Sequence, residues 1–193
     1  MSLPSREDLA KLPSRAIAAY AVRCARRVEP QYAAAMSDRP DLVAAVGCAI
    51  RQAERFASGE ASGVEDAVAD AADAAARAAH TAAVADAADA AARAAHAAAR
   101  AAHAAVDAAH VTARAAHAAA FAASFAAFAA ADAADAAAFV HAANHDYQRL
   151  ADLARSGEDL AISLSEDGPL GPLWSTGSSP ARSSPHSAEQ GSE

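Results

Sequence analysis

The feature that most constrains this chain is an alanine-rich run from Val64 to Arg155, which contains neither glycine nor proline. Alanine is the best helix former, because it loses no side-chain entropy and buries no polar group. As one straight helix, the run would extend for roughly 140 Å at about 1.5 Å per residue. The run therefore predicts an all-α protein. We expect an alanine-rich helical bundle, with one very long alanine helix behind a small N-terminal helical head as the alternative.

The run also contains a repeat. The twelve residues ADAADAAARAAH occur at 69–80 and again at 85–96, and a seven-residue period of arginine or aspartate followed by histidine continues after them. The polar positions are three and four residues apart, which places them on one face of a helix. This spacing fails at Thr81–Ala85, where we expect a turn or kink.

The N-terminal segment carries clear helix boundary signals. Ser5 with Asp8 three residues later matches a capping box, which predicts a short helix over residues 5–12. We expect Ser14 to cap a second helix over residues 15–28, with Ile17, Tyr20 and Cys24 among its apolar positions. Glu29 and Pro30 are expected to stop this helix, and residues 31–39 to form a short turn.

A third helix is predicted after this turn. Ser37 or Asp38 is expected to cap it, Pro40 falls in its first turn and Gly59 ends it. Beyond the most alanine-rich part, residues 140–156 predict a more ordinary helix. We divide the chain into N-terminal helices (1–62), alanine-rich helices packed with them as one domain (63–156), a Gly/Pro/Trp segment (157–174) and a disordered tail (175–193).

Charge and composition exclude several functions. The net charge of −8 disfavours nucleic-acid binding. Charges and histidines recur along most of the alanine run, which disfavours a membrane span, and the N-terminal residues lack the apolar core of a signal peptide. We expect a cytoplasmic protein in which Cys24 and Cys48 are reduced, although a disulfide between the two long N-terminal helices is an alternative.

The histidines suggest metal chemistry only weakly. Those of the repeat are seven residues apart, or about 10.5 Å along a helix, so no two of them share a zinc ion within one helix. His141 and His145 have chelating i, i+4 spacing, but no glutamate lies between them. They are weak metal candidates, and hydrogen bonding to the N-terminal helices is the favoured role. We expect no cofactor and no enzymatic activity.

Two sets of residues are candidates for partner binding. Arg23, Arg26 and Arg27 form a basic cluster that suits an acidic partner, although a solvated helix face is the simpler interpretation. In the Gly/Pro/Trp segment, Leu170, Leu173 and Trp174 are expected to fold back over an apolar groove of the bundle. The alternative is a short peptide motif that a partner reads.

The N-terminal third also carries a family resemblance. AIAAYAVRCARRVEPQY, followed after a short link by DRPDLVAAVGCAIRQAERFASGE, resembles the opening of an all-helical immunity-protein family found beside bacterial polymorphic toxins. The chain is also similar to alanine-rich planctomycete-like bacterial proteins that end in a PLGPLW-like segment. The immunity-family resemblance covers residues 14–60. It implies an all-α, non-catalytic protein with a toxin-like partner, and it assigns no toxin-binding residue.

These observations lead to two functional expectations. The first is a non-enzymatic binding protein of the toxin-neutralising, immunity-like kind. The second is a structural or spacer protein whose helical repeat sets a length. The sequence does not fix the partner or the oligomeric state.

Overall fold

The computed structural model describes residues 2–60, 135–156, 164 and 167–173. Within these residues the protein is helical and contains no strand, so the prediction of an all-α fold is confirmed. The predicted repeat, its breaks, Trp174 and the predicted disordered tail lie outside the described residues. The choice between a folded-back run and one long alanine helix falls there as well.

Four helices are described: α1 (Arg6–Leu9), α2 (Ser14–Ala35), α3 (Pro40–Ala57) and α4 (Asp135–Ser156). Both α3 and α4 pack against α2. Since α3 precedes the alanine-rich run and α4 forms its end, the segments on either side of residues 61–134 meet on the same helix.

Helix α2 lies at the centre of this arrangement. All ten residues from Ala16 to Ala25 are buried, and Tyr20 and Tyr32 are among the largest side chains with no exposed surface. A helix that is buried all round must be covered on several sides. Most of the buried side chains on α2 and α3 are small, which allows helices to approach closely.

The capping box is present as predicted, and its helix is shorter than expected. The Ser5 hydroxyl accepts a hydrogen bond from the Asp8 N–H at 3.2 Å, and the Asp8 carboxylate accepts one from the Ser5 N–H at 3.2 Å. The helix itself ends at Leu9 rather than Leu12. Leu12 is nevertheless buried.

The predicted stop at Glu29 and Pro30 is wrong, because α2 continues through Pro30 to Ala35. Proline removes one helical hydrogen bond and crowds the preceding turn, at a cost of about 3 kcal/mol. Beyond it, Tyr32 and Met36 are buried, at 0 % and 3 % exposed. Burial of two large side chains offsets a cost of that size, at about 1.5–3 kcal/mol for each fully buried apolar side chain.

Helix α3 starts and ends near the predicted positions, but its predicted cap is wrong. Arg39 is the N-cap residue and makes no side-chain capping bond, while Pro40 is the first helical residue as expected. Likewise, Pro13 rather than Ser14 precedes α2 as its N-cap. At the other end of α3, Gly59 has φ of +77°, the left-handed conformation that glycine adopts at helix ends.

Candidate functional site

The most developed polar structure in the described residues lies where α2 meets α4 and the C-terminal segment Leu170–Leu173. Arg23 and Arg27 are one helical turn apart on α2 and are 2 % and 3 % exposed. Asp146 of α4 is 1 % exposed. Buried arginine and aspartate are rare unless they are paired, and these three residues are paired with one another.

Both arginines form ion pairs with the same carboxylate oxygen of Asp146. Arg27 Nη2 donates a hydrogen bond to Asp146 Oδ2 at 2.7 Å, and Arg23 Nε lies 2.9 Å from the same oxygen in an ion pair. Charge-assisted contacts of this kind are stronger than neutral hydrogen bonds, and low surrounding polarity strengthens them further. We call Arg23, Arg27 and Asp146 the buried triad.

The triad also holds the C-terminal segment through its backbone. Arg23 donates to the carbonyl oxygens of Gly171 at 2.9 Å and Pro172 at 2.8 Å, and Arg27 Nε donates to the Leu173 carbonyl at 2.8 Å. Carbonyls of an irregular segment need partners when they approach the protein interior. The guanidinium groups supply them, so the arginines tie the end of the described chain to its central helix.

A β-turn shapes the segment for this contact. The Gly171 N–H donates to the Gly168 carbonyl at 2.9 Å, with Pro169 in the second turn position, where its fixed φ suits a turn. Gly171 has φ of +67°, which favours glycine over residues with a Cβ atom. The turn brings Leu170 into the core, where it is 1 % exposed.

The structure changes the interpretation of the basic cluster. Arg23 and Arg27 were expected on a solvated face, with a partner-binding surface as the alternative, and both are instead buried against α4 and the C-terminal segment. Arg26 points to the other side of α2. It is 27 % exposed and forms a bidentate pair with Glu54 of α3, at 2.7 and 2.6 Å, and a bond to Glu29 at 2.6 Å.

The fold-back of the Gly/Pro/Trp segment agrees with the prediction as far as it is described. Leu170 is buried and Leu173 is partly exposed, while Trp174 lies outside the described residues. The contact itself was not foreseen, because it is made mainly by backbone carbonyls on buried arginines. Asp146 and Gly171 were missed. The available signal was two arginines at i, i+4 spacing, together with a C-terminal segment whose prolines supply no N–H donors to its own carbonyls.

A cavity of about 200 Å³ opens beside the triad. It lies between α4 and the C-terminal segment, and Arg27 and Asp146 form part of its wall. Three exposed side chains of α4 line it at four-residue intervals: His141, His145 and Arg149. On the other side, Leu170–Leu173 contribute an apolar edge.

The histidine pair lines this cavity without a built metal site. Within the described ranges, no group of three or more histidine, cysteine, aspartate or glutamate side chains is arranged to hold a metal ion. Both histidines are exposed. Hydrogen bonding to the N-terminal helices was expected here, whereas the neighbouring Asn144 side chain donates to the carbonyl of Ser2, which precedes α1, at 2.9 Å.

The thiols differ in their surroundings. Cys24 is fully buried, and this burial raises its pKa to about 12, so the thiol stays neutral and unreactive at physiological pH. Cys48 on α3 is half-buried. Both thiols are free, so the alternative of a disulfide between α2 and α3 is wrong.

Among the described helices, none is long and apolar enough to cross a membrane. The sequence matches no protein-family model, and no curated protein or solved structure shows significant similarity to it. The candidate site is therefore defined by its own geometry. It consists of a buried Arg–Arg–Asp triad and the small cavity beside it, between α4 and the C-terminal segment.

Proposed function

We propose that this chain is a non-enzymatic protein that binds another protein, and that it acts as an immunity-like protein that neutralises a toxin. The family resemblance of residues 14–60 first suggested this role. The resembling region corresponds to α2 and α3, and α2 carries the two arginines of the candidate site. The proposal treats these helices as a scaffold and the surface around the cavity as the contact region.

The observation that carries the proposal is the way in which the triad holds this surface. Three carbonyls of residues 171–173 are bonded to side chains that are themselves buried and ion-paired. A surface held in one conformation before binding loses less conformational entropy when a partner docks. Binding of a macromolecular partner benefits from this order.

The overall charge supports a basic partner. The chain carries a net charge of −8, and an acidic protein is attracted over long range to a basic one, such as a nuclease toxin. Among the described residues around the cavity, a partner would meet the exposed side chains His141, His145 and Arg149. The leading contact candidates are thus on α4, together with Leu173, and no longer include Arg23 and Arg27.

Co-expression tests the proposal directly. The gene is expressed together with each gene that neighbours it in its native host, and survival and complex formation are measured. We expect protection, and we expect Arg149→Ala and Leu173→Ala to weaken it, because each removes side-chain contacts at the cavity. Arg155→Ala is the matched control, because Arg155 is an exposed arginine of the same helix that pairs with Asp152 and does not line the cavity. Failure of the unmodified chain to protect or to form a complex would contradict the proposal.

The repeat of the alanine-rich run favours the second candidate, a structural or spacer protein. Scattering in solution separates the two. A compact particle of this length has a radius of gyration of about 16 Å, with a further contribution from any extended tail. A much larger value, with no partner recovered from the host, would favour the spacer.

A further inference from the structure

The cavity between α4 and residues 170–173 remains open because small residues line both of its sides. Ala142 lines it on α4, and Gly171 lines it on the C-terminal segment. Arg27 and Asp146 also belong to the lining, but they are only 3 % and 1 % exposed, so a molecule in the cavity meets little of either side chain. The surface available to such a molecule is therefore formed mainly by the other lining residues.

The size of the cavity limits what it can hold. Its volume of about 200 Å³ lies below the range of roughly 300–1,000 Å³ that is usual for drug-sized ligands and cofactors. An engineered protein cavity of about 150 Å³ binds one benzene molecule. The space therefore suits one aromatic ring with a small substituent, which is the size of a single aromatic side chain.

The accessible lining combines an apolar edge with planar polar side chains. Pro172 and Leu173 form the apolar edge, while His141, His145 and Arg149 are exposed along α4 on the other side. A guanidinium group stacks on aromatic rings, and its positive charge is attracted to the negative face of the ring. An aromatic ring can thus use the apolar edge and Arg149 together.

Other kinds of side chain use less of this lining. A lysine or arginine would lie beside the like charge of Arg149. A carboxylate would pair with Arg149, but ion pairs with exposed side chains contribute little, and the apolar edge would stay uncovered. An aliphatic side chain would cover the edge without engaging the guanidinium group. Among aromatic side chains, tyrosine is the best match, because its hydroxyl group can donate to or accept from the neutral histidine rings.

The side of the cavity that faces α4 is held in place by hydrogen bonds within the chain. The carbonyl oxygens of Gly171, Pro172 and Leu173 accept hydrogen bonds from Arg23 and Arg27. A pocket that is formed in advance reduces the entropic cost of binding. Aromatic side chains seated in such pockets carry much of the binding energy at protein interfaces.

We propose that this cavity is a pocket for one aromatic side chain of the partner protein, with tyrosine as the preferred residue. The ring lies between α4 and residues 170–173, with one face toward Arg149 and its hydroxyl group toward the histidines. This inference rests on the proposed function for the existence of a partner. It adds the chemical identity of the side chain that anchors the partner.

Small probes test the pocket without a partner. The probe para-cresol reproduces the tyrosine side chain, and its saturated counterpart, methylcyclohexanol, carries the same substituents on a ring that is not aromatic. Each is titrated into the full chain, and the ring signals of His141 and His145 are followed by NMR, with histidine-to-glutamine variants to assign them. We expect para-cresol to saturate the site with a Kd of about a millimolar. Its affinity should be about threefold higher than that of methylcyclohexanol.

Variants then locate the site. Arg149→Gln is expected to weaken para-cresol binding about threefold and to leave methylcyclohexanol binding unchanged, because only the aromatic ring interacts with the guanidinium group. Arg155→Gln on the same helix is the matched control and should change neither affinity, since Arg155 does not line the cavity. Unfolding curves of both variants establish that the fold is retained.

Several results would overturn the proposal. They are equal affinities for the two probes, shifts that do not saturate, or an unchanged para-cresol affinity in Arg149→Gln. Binding of para-cresol only after Trp174→Ala would assign the cavity to the chain's own tryptophan and would overturn the proposal as well. Probe binding without protection in the co-expression experiment would contradict the proposed function alone, whereas protection without probe binding would contradict the pocket alone.

Discussion

Two sides of α2 use the same residue type in opposite surroundings. Toward α3, Arg26 meets Glu54 and Glu29 with roughly a quarter of each side chain exposed. Toward α4, its neighbour Arg27 meets Asp146 with almost no surface exposed. Partly exposed pairs are screened by water and contribute little, whereas a buried charge depends on its partner. Exposure, rather than the number of contacts, therefore decides which arginine matters for stability.

The largest effect is expected from removing the shared carboxylate. Asp146→Ala removes the carboxylate that Arg23 and Arg27 share in the interior, and we expect it to lower the free energy of unfolding by about 3–5 kcal/mol. Urea denaturation followed by circular dichroism measures this change. Asp152→Ala is the control, because it removes an exposed carboxylate from the same helix. A loss in Asp146→Ala as small as in the control would mean that the triad does not carry stability.

The turn that presents the carbonyls gives the next largest effect. Gly171→Ala places a Cβ on a residue with φ of +67°, although among the described residues no atom beyond its chain neighbours lies within 4 Å of that Cβ. We therefore expect a conformational cost of about 1–2 kcal/mol without a steric clash. The same denaturation experiment measures it, with Gly168→Ala for comparison. A neutral result for Gly171→Ala would show that this backbone conformation is not required.

On the exposed side of α2 the effect is smaller and depends on salt. Glu54→Gln removes one partner of Arg26, and we expect a loss of at most about 1 kcal/mol. Added salt should reduce this difference, because mobile ions screen exposed pairs. The effect of Asp146→Ala should change little over the same salt range. An equal salt dependence of both variants would contradict the contrast between the two sides.

The smallest effect on the free energy of unfolding is expected at the capping box. Hydrogen bonds from Lys11 and Ser5 lower the pKa of Asp8 from 3.8 to about 2. Because the pKa of Asp8 is lowered in the folded state, the contribution of its charged carboxylate to stability is fully present above pH 3.8. This contribution is lost as the pH falls toward 2. NMR titration of the Asp8 carboxyl group measures the value directly. Ser5→Ala should move it back toward 3.8.

Much of the fold follows from local sequence signals. The capping box at Ser5, proline at the start of α3 and glycine at its end each act within one helical turn, so they are readable without knowledge of the neighbours. Pro30 was misjudged for the opposite reason. Its local cost is outweighed by the burial of Tyr32 and Met36, which depends on the elements that pack around α2.

The candidate site was only partly predictable for the same reason. Arg23 and Arg27 were singled out, but their burial depends on Asp146, which is more than a hundred residues away in the chain. Sequence spacing indicates which side chains share a helix face, but it does not indicate which distant segment covers that face. The C-terminal fold-back was predicted from its leucines, whereas the carbonyl contacts involve no side chain of that segment.

A pair of double-mutant cycles tests the central claim most directly. Arg27→Ala and Asp146→Ala form one cycle, Arg26→Ala and Glu54→Ala form the other, and all variants are unfolded in urea under the same conditions. Mutants of residues in contact reveal their coupling energy, which is independent of other losses caused by each substitution. We expect a coupling of about 2 kcal/mol or more for Arg27 with Asp146 and less than about 1 kcal/mol for Arg26 with Glu54. Similar couplings in the two cycles, or none between Arg27 and Asp146, would contradict the claim that the buried triad fastens the C-terminal segment and α4 to α2.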